Sequence, residues 1–568
     1  MRRRKVWQVV RTRPESIREV SARHHLPPLV ARLLVNRGLD TPDDILAFLE
    51  PTLERLHPPF GLADLEPATA RVEQALRRSE AVAVYGDYDV DGLTATCLLH
   101  QFFEELGLKC HAYVPDRLRE GYGLNLPALR ELAGLARLLV TVDCGISDAR
   151  EVAWAQDQGL DVIVTDHHEI PPELPRALAV VNPKRGSADY PFGELAGVGV
   201  ALLLALGVRA ELRGSGWFED HPEPNLKAYL DLVALGTAAD VVPVVGENRI
   251  LVAQGLKVLE ASRRPGVVAL REAAGLEGKP ISFRDLVFRL APRLNAAGRL
   301  GQAKGALQLL LAPELGQARH QAAHLNNLNR QRQTLEEEVL RQAANLIRRE
   351  KLEKRPVMVL ANEGWHPGVI GIVAARLAEA HHCPVALVSL KDGVGRGSAR
   401  SIEGFHLFAG LRHCRDLLIK FGGHQAAAGF EVRADALAAL QTGLEQAFEA
   451  QLGAIPPPPT LKVDAEVALP DLNNHFFHHL ERLRPFGPGN PEPIFVCAGV
   501  DCLASRIVGD RHLKVQLAQE NCIREAIGFD MAAYHPLSGP LDVAFSTGLS
   551  YYQGQTNPEL RILDWGRP

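Results

Sequence analysis

No apolar run in the 568-residue sequence is long enough to cross a bilayer. The longest near-apolar stretch, Ala196 to Val208, has 13 residues and contains three glycines, where a span needs about 20. The basic N-terminus, MRRRKVWQVVRTR, lacks the apolar core of roughly 7–15 residues and the small-residue cleavage site of a secretory signal, so a cytoplasmic address without a membrane partner is expected. The eight cysteines (Cys97, Cys110, Cys144, Cys383, Cys414, Cys497, Cys502 and Cys522) never fall in CxxC spacing. Dispersed through apolar surroundings, they read as small hydrophobes, which argues against a disulfide frame or a zinc knuckle. Positive charge is not in excess either: 63 Lys and Arg against 68 Asp and Glu leave a net −5. A nucleic-acid binder of this composition must concentrate its cations locally. Neither a repeat of about 20–50 residues nor a GxxxxGK[ST] phosphate loop is present.

What remains is a core-forming chain, 46% hydrophobic and 23% charged with 6% aromatic, long enough for about two to four folded units. After an N-terminal extension, 1–60, short β-rich runs alternate with helical stretches: Ala81 to Val84, Leu138 to Val142 and Asp161 to Thr165, with crossover helices over Leu93 to Leu106 and Asp148 to Gln158. That alternation predicts a parallel α/β domain over 61–315. Residues 316–354 lack internal Gly and Pro after Gly316, and Leu325, Leu328, Leu335, Val339, Ala343 and Leu346 step at helical spacing, so one long helix is predicted. Between 316 and 355 it carries nine Lys and Arg against five Asp and Glu. A second, smaller α/β unit follows over 355–454, then a stiff proline-rich linker, 455–460. Alternating runs such as His512 to Leu517 and Leu541 to Phe545 predict a small antiparallel barrel or sandwich over 461–568.

The chemistry concentrates where the strands of the first domain end. One strand runs into Asp87-Tyr88-Asp89-Val90-Asp91-Gly92, the next ends in Asp143, the third in Asp166-His167-His168, and the run Leu232 to Asp240 is read as a fourth acid-bearing strand end. In a parallel sheet these ends share one edge, the crevice where ligands bind. So many carboxylates repel one another unless cations neutralise them. Oxygen ligands with a minority of imidazole and no thiolate point to Mn2+ or Mg2+ ahead of zinc. A carboxylate bridging two ions about 3.5–4 Å apart suits phosphoryl hydrolysis. Taken alone, DxDxDG could be a turn or a calcium loop, but the twelfth place counted from Asp87 is Leu98, not the bidentate Glu of an EF-hand.

These motifs resemble the DHH phosphoesterase superfamily. Gly121-Tyr122-Gly123, Ala196 to Val200, Leu235 to Asp240, Pro292 to Arg299 and Phe421-Gly422-Gly423-His424 resemble, more narrowly, its bacterial single-stranded-DNA exonucleases, over nearly the whole chain. The resemblance implies an α/β multidomain protein: a parallel-sheet DHH catalytic domain, the long connecting helix, a smaller α/β DHH-associated domain that binds nucleic acid, and a C-terminal OB-like β domain. It implies two Mn2+ or Mg2+ ions on Asp89, Asp91, Asp143, His167 and Asp240, with Asp143 bridging and Asp87 a further ligand or support. It also implies His168 at the scissile phosphate, with Asp143 and Asp166 in the catalytic set. Two departures stand out: Tyr85 where many relatives carry His, and Cys144 where Asn is common.

For the strand itself, Gly393 to Ser401 reads as a Gly/Ser/Arg loop ahead of a helix over about Gly404 to Lys420, able to bring backbone N–H groups and Arg396 and Arg400 to an anion. The resemblance assigns Ser398 and Arg400 to the 5′ end of the strand, and His424, Arg117 and Arg299 to substrate phosphate. Trp365, just before a helix over Val369 to Glu379, could stack a base or cap that helix. Arg506, Arg511, His512 and Lys514 form a basic set in the C-terminal unit. The expected activity is metal-dependent 5′-to-3′ hydrolysis of single-stranded DNA to 5′-mononucleotides in recombination and repair, with single-stranded DNA, a single-strand-binding protein and a helicase as partners. Alternatives within the superfamily are a phosphodiesterase of short oligonucleotides or cyclic dinucleotides and a catalytically silent replication scaffold, though the latter would be expected to lose metal ligands that are all present here.

Overall fold

A computed structural model describes residues 5–185, 190–453, 458–552 and 555–567. Its contacts divide the chain into two compact units, Trp7–Leu325 with Lys462–Pro568, and a second containing Asn326–Leu461.

The first unit holds a five-stranded, all-parallel sheet: β1 (Val82–Gly86), β2 (Cys110–Tyr113), β3 (Leu138–Val142), β4 (Asp161–Thr165) and β5 (Ala179–Val181), in the order β2-β1-β3-β4-β5. Every residue of β1 and β3 is buried, because helices cover both faces of a parallel sheet. One face packs Ala83, Tyr85, Leu139 and Val162 against the helices Leu126–Ala133 and Ala149–Asp157. Of the remaining helices, α1 (Val90–Glu105), α2 (Gly197–Gly214), α3 (Leu230–Ala239) and α5 (Ala291–Arg299) bear on the site, and α4 (Gly246–Ala261) follows α3.

The run Leu230–Ala239 is therefore a helix, which corrects the reading of Asp240 as a strand end; Asp240 follows the last turn of α3. A short, wholly buried apolar run looks the same in either conformation, and here a Leu- and Ala-rich composition decides for the helix. No helix among the described residues is long and apolar enough to cross a membrane.

The C-terminal strands close into a barrel. Ile494–Val508 pairs with both His512–Gln519 and Gly539–Tyr552, and the ring is completed through Cys522–Gly528 and Gln555–Gly566. Its core is shared with the N-terminal helices: Val30, Leu33, Leu34 and Phe48 pack in one cluster with Phe476, Phe495 and Phe545. Residues Val20 to Leu49 of the N-terminal extension thus contribute to this core. Two of the basic set are matched by acids on the same barrel, Lys514 to Glu525 at 2.7 Å and Arg511 to Asp530 at 3.5 Å.

Leu315–Glu350 is the long helix; it stops at Lys351, whose φ of 54° is left-handed, and Leu352–Lys354 is a separate tight turn. In the second unit, Val339, Ala343 and Ile347 of this helix pack on Met358, Leu360 and the helix Ile370–His381. The sheet of that unit runs Leu418–Gly423, Ala427–Arg433, Val394–Arg400, Val385–Lys391, Met358–Asn362, antiparallel except for the last pair. Of the proline-rich linker, Ile455 to Pro457 lie outside the described residues, and Thr460 already begins the strand Thr460–Val463. Seven cysteines are buried and Cys522 is partly exposed.

Candidate metal centre

Local backbone chemistry places each carboxylate. Asp89 caps α1: its Oδ1 accepts from the N–H groups of Asp91 and Gly92 at 2.9 and 3.1 Å. Asp91 then points from the first turn of α1 toward the N-terminus of α2, where the N–H groups of Gly197 and Val198 donate to its two oxygens at 2.6 and 2.9 Å. A helix N-terminus holds a carboxylate in this way without any side-chain cation. Asp143 follows β3 with a φ of 59°, and Gly197 is what lets α2 approach it: a Cβ there would lie 2.7 Å from the Asp143 Cβ.

His167, buried, ends β4 and aims Nε2 into the cluster, 3.1 Å from Asp143 Oδ1, 3.6 Å from Asp240 Oδ2 and 3.9 Å from Asp91 Oδ2. Three overlapping sets of ligand atoms lie within 4.8 Å of one another: Asp91, His167 and Asp240; Asp87, Asp89 and Asp143; and Asp143, His167 and His168. Asp143 and His167 each belong to two of them, which gives Asp143 the central place.

These groups fit divalent cations. Asp87 Oδ1, Asp143 Oδ1, Asp240 Oδ2 and His167 Nε2 are buried without a hydrogen-bond partner, a costly state for polar atoms that a cation resolves. Burial, reinforced by the neighbouring carboxylates, raises the carboxyl pKa of Asp143 and Asp87 well above the ordinary range, Asp91 to about 7 and Asp240 to about 9. Burial and then the neighbouring His168 push His167 down to about 4, leaving a neutral imidazole ready to ligate.

Asp166 is not in this ligand set. Fully buried, it accepts from the N–H of Ile146 at 3.0 Å and from the backbone of His167 and His168, and its Oδ1 lies 2.7 Å from His168 Nδ1. Burial disfavours the imidazolium of His168, but the hydrogen bond and field of Asp166, with Asp89 and Asp87, outweigh it and raise the pKa. His168 borders a cavity of about 370 Å³ together with Asp87, Asp89, Asp240, Arg117 and Arg299. The Arg117 guanidinium lies 5.1 Å over the Tyr88 ring.

Two residues without a role in the sequence reading border the same cavity. Tyr122, between Gly121 and Gly123 with φ of 87° and 84°, places its hydroxyl 3.3 Å from His168 Nδ1 and donates to Asp143 O at 3.4 Å. Asn295 reaches it from α5, which packs so closely that a Cβ on Gly298 would meet Tyr88 O at 2.9 Å. Both sit in stretches noted for their resemblance, so the signal was a motif without a mechanism. Tyr85 turns away: its hydroxyl donates to Gly123 O at 2.9 Å and its ring stacks on Tyr113. Cys144 is buried with Sγ 3.7 Å from Tyr85 O.

In the second unit, Gly393 to Ser401 is not a loop: Val394–Arg400 is a strand, and the helix behind it is only Leu407–His413, with Lys420 in the next strand. Gly395 and Gly397 serve packing, since a Cβ there would meet Val388 Cγ1 at 2.5 Å and the Phe430 ring at 2.2 Å, respectively. Ser398 and Arg400 share one face, with Arg400 Nη1 donating to Ser398 Oγ at 3.1 Å. They lie against the first turn of Ile370–His381, where a Cβ on Gly371 would be 2.8 Å from Ser398 Oγ. The helix N-terminus next to them is thus this one and not the one predicted downstream. His424 is exposed at the hairpin between Leu418–Gly423 and Ala427–Arg433, its N–H donating to Ala427 O at 2.8 Å. Trp365 is 2% exposed, with Nε1 donating to Gln342 at 2.8 Å, and is closed to base stacking.

A parallel sheet whose strand ends gather an Asp-His-His run and four further acids defines a DHH phosphoesterase. The DHH family N-terminal domain matches residues 81–237, the DHHA1 domain 354–450 and the RecJ OB domain 463–564. The single-stranded-DNA-specific exonuclease RecJ of Thermus thermophilus is 39% identical over 100% of this chain and 80% of its own length. That of Bacillus subtilis is 34% identical over 98% and 70%. The crystal structure of Thermus thermophilus RecJ with Mn2+ superposes with a TM-score of 0.84 at 34% identity, covering 99% of this chain and 80% of that one; the Mg2+ complex gives 0.78. The chain belongs to the RecJ family.

Proposed function

We propose that this protein is a divalent-metal-dependent exonuclease that degrades single-stranded DNA from its 5′ end to 5′-mononucleotides, in recombination and repair. The observation that carries the reading is the cavity bordered by Asp87, Asp89, Asp240 and His168 together with Arg117 and Arg299, in a chain similar over its whole length to single-stranded-DNA-specific exonucleases. Asp87, Asp89, Asp91, Asp143, His167 and Asp240 would hold two divalent ions, which would supply Lewis-acid stabilisation of phosphoryl displacement.

The chain's own side chains do the rest. Asp166 accepts the Nδ1–H of His168 and so leaves Nε2 for a phosphate oxygen, where the raised pKa favours a proton donor. Arg117 and Arg299 neutralise phosphate charge, and Tyr122 with His168 closes one wall of the cavity. In the second unit, Ser398, Arg400 and His424 hold phosphate of the strand. Delivery of the strand by a single-strand-binding protein and a helicase in the cytoplasm completes the reading.

Replacing Asp143 by Ala tests the activity directly: a 5′-labelled single strand with Mn2+ should survive, and undiminished degradation would overturn the assignment. Strands blocked at one end test polarity; degradation from a free 3′ end only would overturn it.

A further inference from the structure

We infer that Arg249 is a positioning residue for the metal centre, and that it makes the C-terminal barrel region part of the scaffold that sets Asp240; the inference rests on the metal reading above. Asp240 leaves α3 directly into Val241, an exposed β-branched residue held at a φ of 67°, a conformation such residues rarely adopt. With its side chain exposed, Val241 has little packing of its own to enforce the turn, and the constraint comes from the residues that lead into α4.

Those residues are clamped onto the stretch 482–490. The Val244 N–H donates to Pro488 O at 2.6 Å, and Asn248 Nδ2 donates to Pro243 O at 3.0 Å. Gly489 lies so near that a Cβ there would stand 3.1 Å from Pro243 Cβ and Val245 Cγ1. One helical turn later Arg249 is 1% exposed, with Nε donating to Phe48 O at 2.9 Å, Nη1 to Leu483 O at 3.0 Å and Pro485 O at 3.3 Å, and Nη2 to Arg482 O at 3.1 Å and Arg484 O at 2.8 Å. All five guanidinium N–H groups thus meet carbonyl oxygens. The plane lies 3.8 Å over the Phe48 ring. Asn490, fully buried, braces the same segment by donating to Leu483 O and Pro485 O at 2.9 Å.

A buried guanidinium with no carboxylate among these partners is an expensive way to join two surfaces, and apolar packing would serve mere adhesion. Its geometric worth is a planar fork that fixes direction and distance at once. Only five residues separate the start of α4 from Asp240, so a displacement of α4 reaches the ligand through this short turn.

Arg249→Lys keeps the buried charge and loses the fork; Asn490→Ala loosens the same segment from the other side. Mn2+ binding to the full-length protein, followed by electron paramagnetic resonance of the free ion, should weaken on the order of tenfold in either variant, as for other residues that orient metal ligands. Turnover at saturating Mn2+ should be retained, so the half-saturating Mn2+ concentration moves and the limiting rate does not. A purely structural Arg249 would lower the melting temperature and leave Mn2+ affinity unchanged, which overturns the inference. If Arg249→Lys does not fold, unchanged affinity in Asn490→Ala overturns it alone. No Mn2+ binding by the unaltered protein would instead remove the metal reading and this inference with it.

Discussion

His168 Nδ1 lies 2.7 Å from Asp166 Oδ1, and the same carboxylate accepts the backbone N–H groups of both His167 and His168. One buried oxygen therefore fixes the ring and the backbone of the residue that faces the cavity. In the proposed mechanism Asp166 acts through these neighbours.

Asp166→Asn keeps an oxygen that can accept the His168 Nδ1–H but removes the negative charge that helps raise the His168 pKa. Turnover on a 5′-labelled single strand should fall about 10²–10⁴-fold, the worth of a positioned proton donor, with the melting temperature near that of the unaltered protein. A loss below tenfold would mean that the proton donor does not depend on this charge.

Proton release should accompany Mn2+ binding. Asp91 and Asp240, raised by burial and neighbouring carboxylates to about 7 and about 9, carry protons in the metal-free site, and a cation displaces them. Mn2+ affinity therefore climbs with pH up to about 9, and calorimetry in two buffers of different ionisation enthalpy should give different apparent heats. For the metal-free protein the sign is opposite. Raised carboxyl pKa values stabilise the fold fully below the unfolded value and lose that contribution as pH rises through about 7 and about 9. Melting temperature should drop across that interval without metal and much less with it.

Gly197→Ala puts a methyl 2.7 Å from Asp143 Cβ. Overpacking of this kind costs about 1–3 kcal/mol, and here it also displaces the central ligand, so weaker Mn2+ binding should accompany a lower melting temperature. Gly214→Ala, at the far end of the same helix with nothing within 4 Å, should be neutral or stabilising by about 0.5–1 kcal/mol.

Trp365→Ala should cost about 3–5 kcal/mol in denaturant titrations of the second unit, the usual loss for a buried aromatic. Affinity of the folded variant for single-stranded DNA should not change. Weaker DNA binding at unaltered stability would restore the stacking role that burial of this indole argues against.

The sheet and its acids were legible because they obey simple rules: fully buried parallel strands read as continuous apolar runs, and Asp143 and Asp166 stand where such runs stop. Asp240 was found for the right chemistry on the wrong element, since periodicity cannot distinguish a buried strand from a buried helix over ten residues. The strand Val394–Arg400 was hidden for another reason: its glycines look like loop residues, and only the Phe430 ring pressed against Gly397 explains them. Tyr122 and Asn295 needed three dimensions, because each meets the cavity from an element distant in sequence. Arg249 left no signal at all, its partners being backbone carbonyls that any sequence supplies.

Of the eight thiols only Cys522 escapes burial, at the tight connection between the second and third barrel strands beside Arg524. The native chain thus comes with a single reachable handle. A maleimide dye would settle on one face of the barrel without engineering, and its emission or anisotropy would report in real time whether a passing strand touches that face.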